Sequence, residues 1–388
     1  PGVYDQDLNS ISRIEVNNSY HCRLISAAHI VANDPSLELV QIVSFGCGHD
    51  ATLSDELVRM LRERGDKELL ILKLDEGDVR GPLEIRIKSF IETVRAGRQE
   101  NPVSDPKQPG APFPQPFEQK DITKRTILIP NLSSGFSFLC HKILEHQGYK
   151  TLQLPPANKR AFDLGKQYVH NDICFPAQVN IGEALHWLET NDTSVDKVAF
   201  SLAKNCDNCR ASQYPALARK ALDEAGYGSV PIVTTGVDTK NMHPGFQINT
   251  SFRMKMVWGV ALMDVIETMI RAIRPYEIEK GTSQKLYNYW LYRILEESVT
   301  DTQNALRSLA QYVQALNELP IDRSTRRPRV AVLGEILMKY HPSANGFVEE
   351  YLEKNGMELI QPGMFDFFRH DEVVMQERIR RNTVENRF

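Results

Sequence analysis

The chain has 388 residues, and its 46 basic and 50 acidic side chains give a formal net charge of −4. This balance argues against a nucleic-acid-binding surface, and no apolar run approaches the ~20 residues that a membrane-spanning helix needs. With 41% hydrophobic and 25% charged residues, the composition is typical of a folded, soluble protein.

The chain begins at Pro1 rather than at a methionine, and no secretory signal follows it. We therefore expect a processed or trimmed piece of a longer polypeptide. Six cysteines are too few for a disulfide scaffold in a chain of this size. The sequence thus predicts a cytoplasmic protein with reduced thiols, and those thiols become the candidate ligands.

Residues 1–99 are predicted to form an α/β segment with the order strand, helix, strand, helix. We expect Ser54 to cap the first helix, Gly65 to end it, and Gly97 to end the second helix. The four segments are LELVQIVSF (37–45), LSDELVRMLRERG (53–65), ELLILKL (68–74) and PLEIRIKSFIETVRAG (82–97).

Residues 100–124 hold six prolines between 102 and 116, a density that neither a helix nor a central strand tolerates. We predict a proline-rich linker here, and with it a domain boundary.

Residues 125–236 are predicted to form a flavodoxin-like or Rossmann-like α/β domain, because strand patterns alternate with helical patterns and so favour a parallel sheet. Residues 237–327 are predicted to be a helical segment. Residues 328–388 are predicted to be a βαβ segment, and we expect 329–361 to pack with 37–99 in one composite domain.

Three cysteines follow predicted strands, where the sites of open α/β sheets collect. Cys47 lies in SFGCGHD, between two glycines, directly after the strand at 37–45. Cys206 and Cys209 lie in KNCDNCRASQYP, directly after the strand VDKVAFSL. Both loops precede a predicted helix.

Cys174 lies in NDICFPAQ, directly before a helix opened by Pro176. A helix N-terminus favours negative charge, and the thiolate is the form of cysteine that binds metal. Cys22 and Cys140 lie on helix-like segments and are expected to be small buried side chains.

The Cys-x-x-Cys spacing of Cys206 and Cys209 is compatible with zinc, a redox disulfide or an iron–sulfur cluster. Zinc favours a second such pair or paired histidines nearby, and the sequence has neither. Soft thiolates drawn from separate loops suit iron and sulfide best. His49 is a further candidate ligand or proton donor.

Two further features concern other ligands. No glycine-rich nucleotide loop is present, so the chain is not expected to hydrolyse ATP alone. Ser133, Ser134 and Gly135 follow a predicted strand and precede a helix, an arrangement that can hold a phosphate or a carboxylate.

Several segments resemble the 2-hydroxyacyl-CoA dehydratase subunit family. The most similar members are the dehydratase-like C-terminal regions of large CoA-substrate-specific enzyme activases, also called acyl-CoA dehydratase activase-related proteins. The resemblance covers most of residues 10–365. It rests on FGCGHDATLSDEL, LKLDEG, IRIKSFIE, NDICFPAQ, NCDNCRASQY, RPYE and RVAVLGEILMKYHPSAN.

This resemblance implies flavodoxin-like domains that hold a 4Fe–4S cluster on cysteine thiolates. Cys47, Cys174 and Cys209 match the recurring family cysteines, whereas Cys206 lies where the motif usually has another residue. The chain also departs from the family at Asn208, where a proline is common, and at residues 211–212, where Phe-Gly is usual.

The resemblance further implies a low-potential electron supplied by an ATP-dependent activase domain, on the same or a separate polypeptide. The electron would pass to an acyl-CoA-like substrate, so the chain would be a component of an ATP-driven reductase or dehydratase without ATPase activity of its own. The alternatives are a non-catalytic scaffold or regulatory domain, and a structural zinc site at the same cysteines.

Overall fold

The computed structural model describes residues 8, 11–14, 19–43, 49–74, 80–100, 115–170, 173–203, 210–235, 242–369 and 380. The chain divides into two compact units, Pro1–Asp121 with Arg160–Gln247 and Ile122–Lys159 with Ile248–Phe388. The predicted domain boundaries remain a prediction.

The helices are α1 Ser19–Asn33, α2 His49–Gly65, α3 Arg80–Glu100, α4 Asp121–Lys124, α5 Ser134–His146, α6 Lys159–Tyr168, α7 Phe175–Thr190, α8 Tyr214–Glu224, α9 Thr250–Ile273, α10 Thr282–Thr300, α11 Thr302–Asn317, α12 Ile336–Tyr340 and α13 Val348–Lys354. The strands are β1 Leu39–Val43, β2 Leu69–Lys73, β3 Thr126–Ile129, β4 Lys150–Gln153, β5 Val198–Leu202, β6 Ile232–Thr234, β7 Arg329–Ala331 and β8 Glu358–Ile360.

Strand pairing is parallel within each unit, which confirms the predicted α/β class. In the first unit β1 pairs with β2 and β5 pairs with β6. In the second unit β3 pairs with β4 and β7 pairs with β8. A helix follows the first strand of every pair, as parallel connections require. The expected packing of 329–361 against 37–99 remains a prediction.

The core of the first unit's N-terminal part is formed by α1 and α2. Ile25 of α1 and Leu53 and Leu57 of α2 are fully buried in one apolar cluster. The same cluster includes Ala216 of α8, so α2 packs against both helices. Apolar burial of this kind is the main favourable contribution to folding.

Two predicted helix boundaries are wrong. The helix α2 begins at His49, and Ser54 lies inside it, where its Oγ donates to the backbone oxygen of Asp50 at 2.8 Å instead of capping. The helix α3 continues past Gly97 to Glu100. Gly97 therefore lies inside an exposed helix rather than at its end.

Replacing Gly97 with alanine should raise the free energy of unfolding by about 0.5–1 kcal/mol, because glycine in a helix interior costs backbone entropy. A Cβ there would meet nothing within 4 Å. Gly148 is the matched control, since it has equal space but a φ of +92°. Gly148→Ala should lower stability by about 1 kcal/mol. Urea unfolding followed by circular dichroism measures both, and a destabilising Gly97→Ala would contradict the extended helix.

The helices α6 and α7 approach each other through two glycines. A Cβ on Gly165 would lie 2.1 Å from the carbonyl oxygen of Gln178, and one on Gly182 would lie 2.1 Å from that of Ala161. Only glycine fits at both positions, because a real Cβ cannot approach an oxygen so closely. The contact fixes α7, whose first residue follows Cys174.

Side-chain caps begin the helices α5 and α9 of the second unit. Oγ of Ser133 accepts from the backbone N–H of Phe136 at 3.1 Å at the start of α5. Oδ1 of Asn249 accepts from the backbone N–H of Phe252 at 2.8 Å at the start of α9. Each cap satisfies one of the amide groups that a helix start leaves without a partner.

The RPYE segment fastens four elements of the second unit together. Arg274, at the end of α9, donates to Glu353 of α13 at 2.7 Å. The hydroxyl of Tyr276 donates to Glu358 of β8 at 2.7 Å. Glu277 accepts from the backbone N–H of Ser283 in α10 at 2.9 Å. The RPYE segment therefore has a structural role, because these bonds connect elements that are distant in sequence.

Among the described residues, no helix combines the length and the apolar character required to cross a membrane.

Candidate thiol site

Cys174 occupies the residue directly before α7, with φ −50° and ψ 121°. Its backbone oxygen accepts from the N–H of Ala177 at 2.9 Å, whereas its side chain makes no capping hydrogen bond. The residue is partly exposed, and its thiol is free of any disulfide. The helix begins where Pro176 predicted, and the role of the Cys174 thiol as a ligand remains a prediction.

Cys47, Cys206 and Cys209 lie outside the described residues, and their roles as ligands remain predictions. The side chains of His49 and Arg210 also lie outside the described part. Among the residues that are described, no three or more histidine, cysteine, aspartate or glutamate side chains are grouped to hold a metal ion.

Three helices that follow the candidate cysteines belong to the same unit, and two of them contact the third. The helix α2 begins two residues after Cys47, α7 directly after Cys174, and α8 five residues after Cys209. The helices α2 and α8 contribute Leu53 and Ala216 to one apolar cluster, and α7 packs on α8. The sequence interpretation treated these helices separately and did not predict their mutual packing.

Charged side chains tie α2 to α8. Nζ of Lys220 in α8 donates to Asp55 of α2 at 2.9 Å. Arg13 bridges the two helices, since its backbone N–H donates to Glu56 of α2 and its Nη2 donates to Asp223 of α8, each at 2.9 Å. A cavity of about 340 Å³ lies along this seam. Because its cations are paired with acids, the seam serves the packing of the helices.

The two remaining cysteines pack against apolar neighbours. Cys22 lies against the cluster formed by α1 and α2. Sγ of Cys140 lies 3.7 Å from Sδ of Met256, and burial raises the pKa of this thiol to about 12. Both side chains are partly buried and pack against apolar neighbours, which agrees with the small apolar role predicted for them.

No family model matches the chain, and comparison with curated proteins and with solved structures also gives no match.

Proposed function

We propose that the chain is an iron–sulfur protein of the 2-hydroxyacyl-CoA dehydratase type. A 4Fe–4S cluster would be held by Cys47, Cys174 and Cys209, with Cys206 as the candidate fourth ligand. The observation that carries the proposal is the packing of α2 and α7 on α8, since each of these helices begins within five residues of a candidate cysteine.

The donor set fits such a cluster chemically. Iron–sulfur clusters are held by cysteine thiolates, and four candidate thiols precede helices of one unit. The thiol of Cys174 is not consumed by a helix cap. Cys174 lies directly before a 16-residue helix, and the N-terminal end of a helix favours a negatively charged ligand. When bound, the cluster would supply one-electron chemistry.

The partners of this chemistry follow from the resemblance in sequence. We propose that an ATP-dependent activase domain, on the same or a separate polypeptide, supplies a low-potential electron. An acyl-CoA-like molecule would receive it. A cytoplasmic location fits this role, because reducing compartments keep thiols from forming disulfides.

The test is anaerobic purification of the full chain, followed by iron and sulfide analysis and by visible and electron paramagnetic resonance spectra. We expect about four iron and four sulfide per chain. Cys174→Ser should lose most of this iron, because an alcohol is a poor ligand for the cluster. Cys22→Ser is the matched control and should retain it.

The iron, sulfide and zinc contents of the chain and its variants distinguish the iron–sulfur, zinc and scaffold hypotheses. Zinc without sulfide would favour a structural zinc site, and a chain without any metal would favour a scaffold or regulatory domain. Equal iron in the Cys174→Ser and Cys22→Ser variants would remove Cys174 from the ligand set. A Cys206→Ser variant that keeps its cluster would show a fourth site that does not need this cysteine.

A further inference from the structure

The second unit contains a cavity of about 870 Å³. It lies between α9 and α10 on one side and the segment from α12 to β8 on the other, and the start of α5 also lines it. A volume of this size is in the range of small-molecule sites. Its wall includes Ser134, Arg271, Tyr287, Lys339 and Tyr340.

Most carboxylates of the cavity wall are engaged by arginines. Glu267 accepts from Nη2 of Arg271 at 2.8 Å. Nε of Arg274 donates to Glu353 at 2.7 Å, and the same guanidinium pairs with Glu349. These three acids are therefore all bound by the two arginines and do not form an open cluster of carboxylates.

The two other described acids of the wall are engaged as well. Glu350 lies 3.9 Å from Nζ of Lys354. Glu277 accepts from the backbone N–H groups of Gly281 at 2.8 Å and Ser283 at 2.9 Å. Burial raises the pKa of Glu277, but these hydrogen bonds and the nearby charge of Lys280 outweigh it, so the pKa is lowered.

Three cations of the same wall have no carboxylate within ion-pair distance in the described part of the chain. They are Lys280, Arg327 and Lys339. Nζ of Lys339 lies 4.5 Å from the ring centroid of Tyr340, and the guanidinium of Arg327 lies 5.6 Å from that of Tyr276. Partial burial lowers the pKa of Lys339, which shows the cost of removing this charge from water.

The start of α5 adds two further donors. Ser133 caps the N–H of Phe136, but among the described residues the N–H groups of Ser134 and Gly135 have no acceptor. Both residues line the cavity. Unsatisfied amides at the start of a 13-residue helix favour an anion.

Arg271 gives an independent indication in the interior of the cavity. The residue is only 9% exposed, and its Nε makes no hydrogen bond. The nearest carboxylate oxygen, Oε1 of Glu349, lies 3.4 Å away as an ion pair. The ion pair does not meet the geometry of a hydrogen bond, and a buried guanidinium N–H without a hydrogen bond is costly unless a ligand supplies an acceptor.

We propose that this cavity binds a small organic anion that carries carboxylate or phosphate groups. Lys339 and Arg327 have no ion-pair partner in the described part of the wall, and the amides of Ser134 and Gly135 have no acceptor there. Nε of Arg271 has Glu349 at ion-pair distance but makes no hydrogen bond. Tyrosine rings of the wall would cover the apolar part of the ligand. This inference does not depend on the cysteines.

The test uses the full chain and isothermal titration calorimetry with inorganic phosphate and with citrate, each against sodium chloride at matched ionic strength. We expect saturable binding of at least one of the two anions, and which of them binds tells phosphate from carboxylate chemistry. Lys339→Met should weaken it about tenfold, because it removes a charge-assisted contact. Lys285→Met is the control, since Lys285 is exposed and lies outside the wall.

A second variant tests the helix start without removing a side-chain charge. Ser134→Pro deletes one free N–H at the first helical residue, where proline is well tolerated. The residue before it, Ser133, already has the extended backbone that a following proline requires, with φ −139° and ψ 162°. The variant should fold with unchanged circular dichroism and bind several-fold more weakly. Absence of saturable binding by both anions, or binding that neither variant weakens, would overturn the proposal.

Discussion

Arg219→Met is expected to lower the free energy of unfolding by about 2–4 kcal/mol. Arg219 lies in α8, and only 1% of the residue is exposed. Its Nη1 donates to the carbonyl oxygen of Val230 at 2.7 Å, and its Nε donates to Asp223 at 2.9 Å. Methionine fills similar space but removes the donor to the Val230 carbonyl oxygen and, among the described residues, leaves Asp223 with Arg13 alone.

Urea unfolding at pH 7.5, followed by circular dichroism, measures this effect. Arg62→Met is the matched control, because Arg62 is exposed and pairs with an exposed Glu68 at 3.1 Å. Such surface pairs contribute less than about 1 kcal/mol. If both variants lose the same small amount, the buried bonds of Arg219 do not stabilise the connection between α8 and β6.

Stability is expected to fall by about 2–3 kcal/mol between pH 7.5 and pH 4.5 through His243 alone. This side chain is 2% exposed, and its Nδ1 accepts from the backbone N–H of Phe117 at 3.0 Å. Burial lowers the pKa of His243 to about 4. Between that value and about 6.5 the unfolded chain binds a proton that the folded chain does not, so the contribution is complete above pH 6.5 and is lost on acidification.

His243→Asn should flatten this part of the pH profile, because the amide oxygen can accept from Phe117 without titrating. The variant is compared with wild type by urea unfolding at pH 7.5, 6.0, 5.0 and 4.5. His146→Asn, at an exposed position, serves as the control and should leave the profile unchanged. Identical slopes for wild type and His243→Asn would contradict a buried neutral imidazole.

Local sequence patterns were sufficient for the strands and for most helices, because apolar periodicity depends on a few neighbouring residues. A predicted helix boundary was wrong where the expected capping residue makes a different hydrogen bond. Ser54 resembles a cap in sequence, yet it lies inside α2. Its hydroxyl is within hydrogen-bond distance of the backbone oxygen of Asp50 and of the side chain of Gln41 in β1. The short helix α6 was also missed, since few of its residues are apolar and buried.

Long-range ties could not be predicted from local patterns. Arg274 meets Glu353 across 79 residues, and Tyr276 meets Glu358 across 82 residues. Neither pair carries a sequence signal, because the partners become neighbours only when the second unit folds. The start of α7 after Cys174 was predictable, since Pro176 favours the first turn of a helix. The packing of α2 and α7 on α8 was not.

The glycine contact between α6 and α7 affects the position of Cys174, which lies directly before α7. Gly182 lies two turns, about 12 Å, from Cys174 along the helix axis. Because the two main chains touch, α7 cannot slide or rotate without separating them. The backbone position of Cys174 is therefore set during folding. Preorganisation of this kind strengthens binding and reduces the rearrangement that accompanies a change of charge at the ligand.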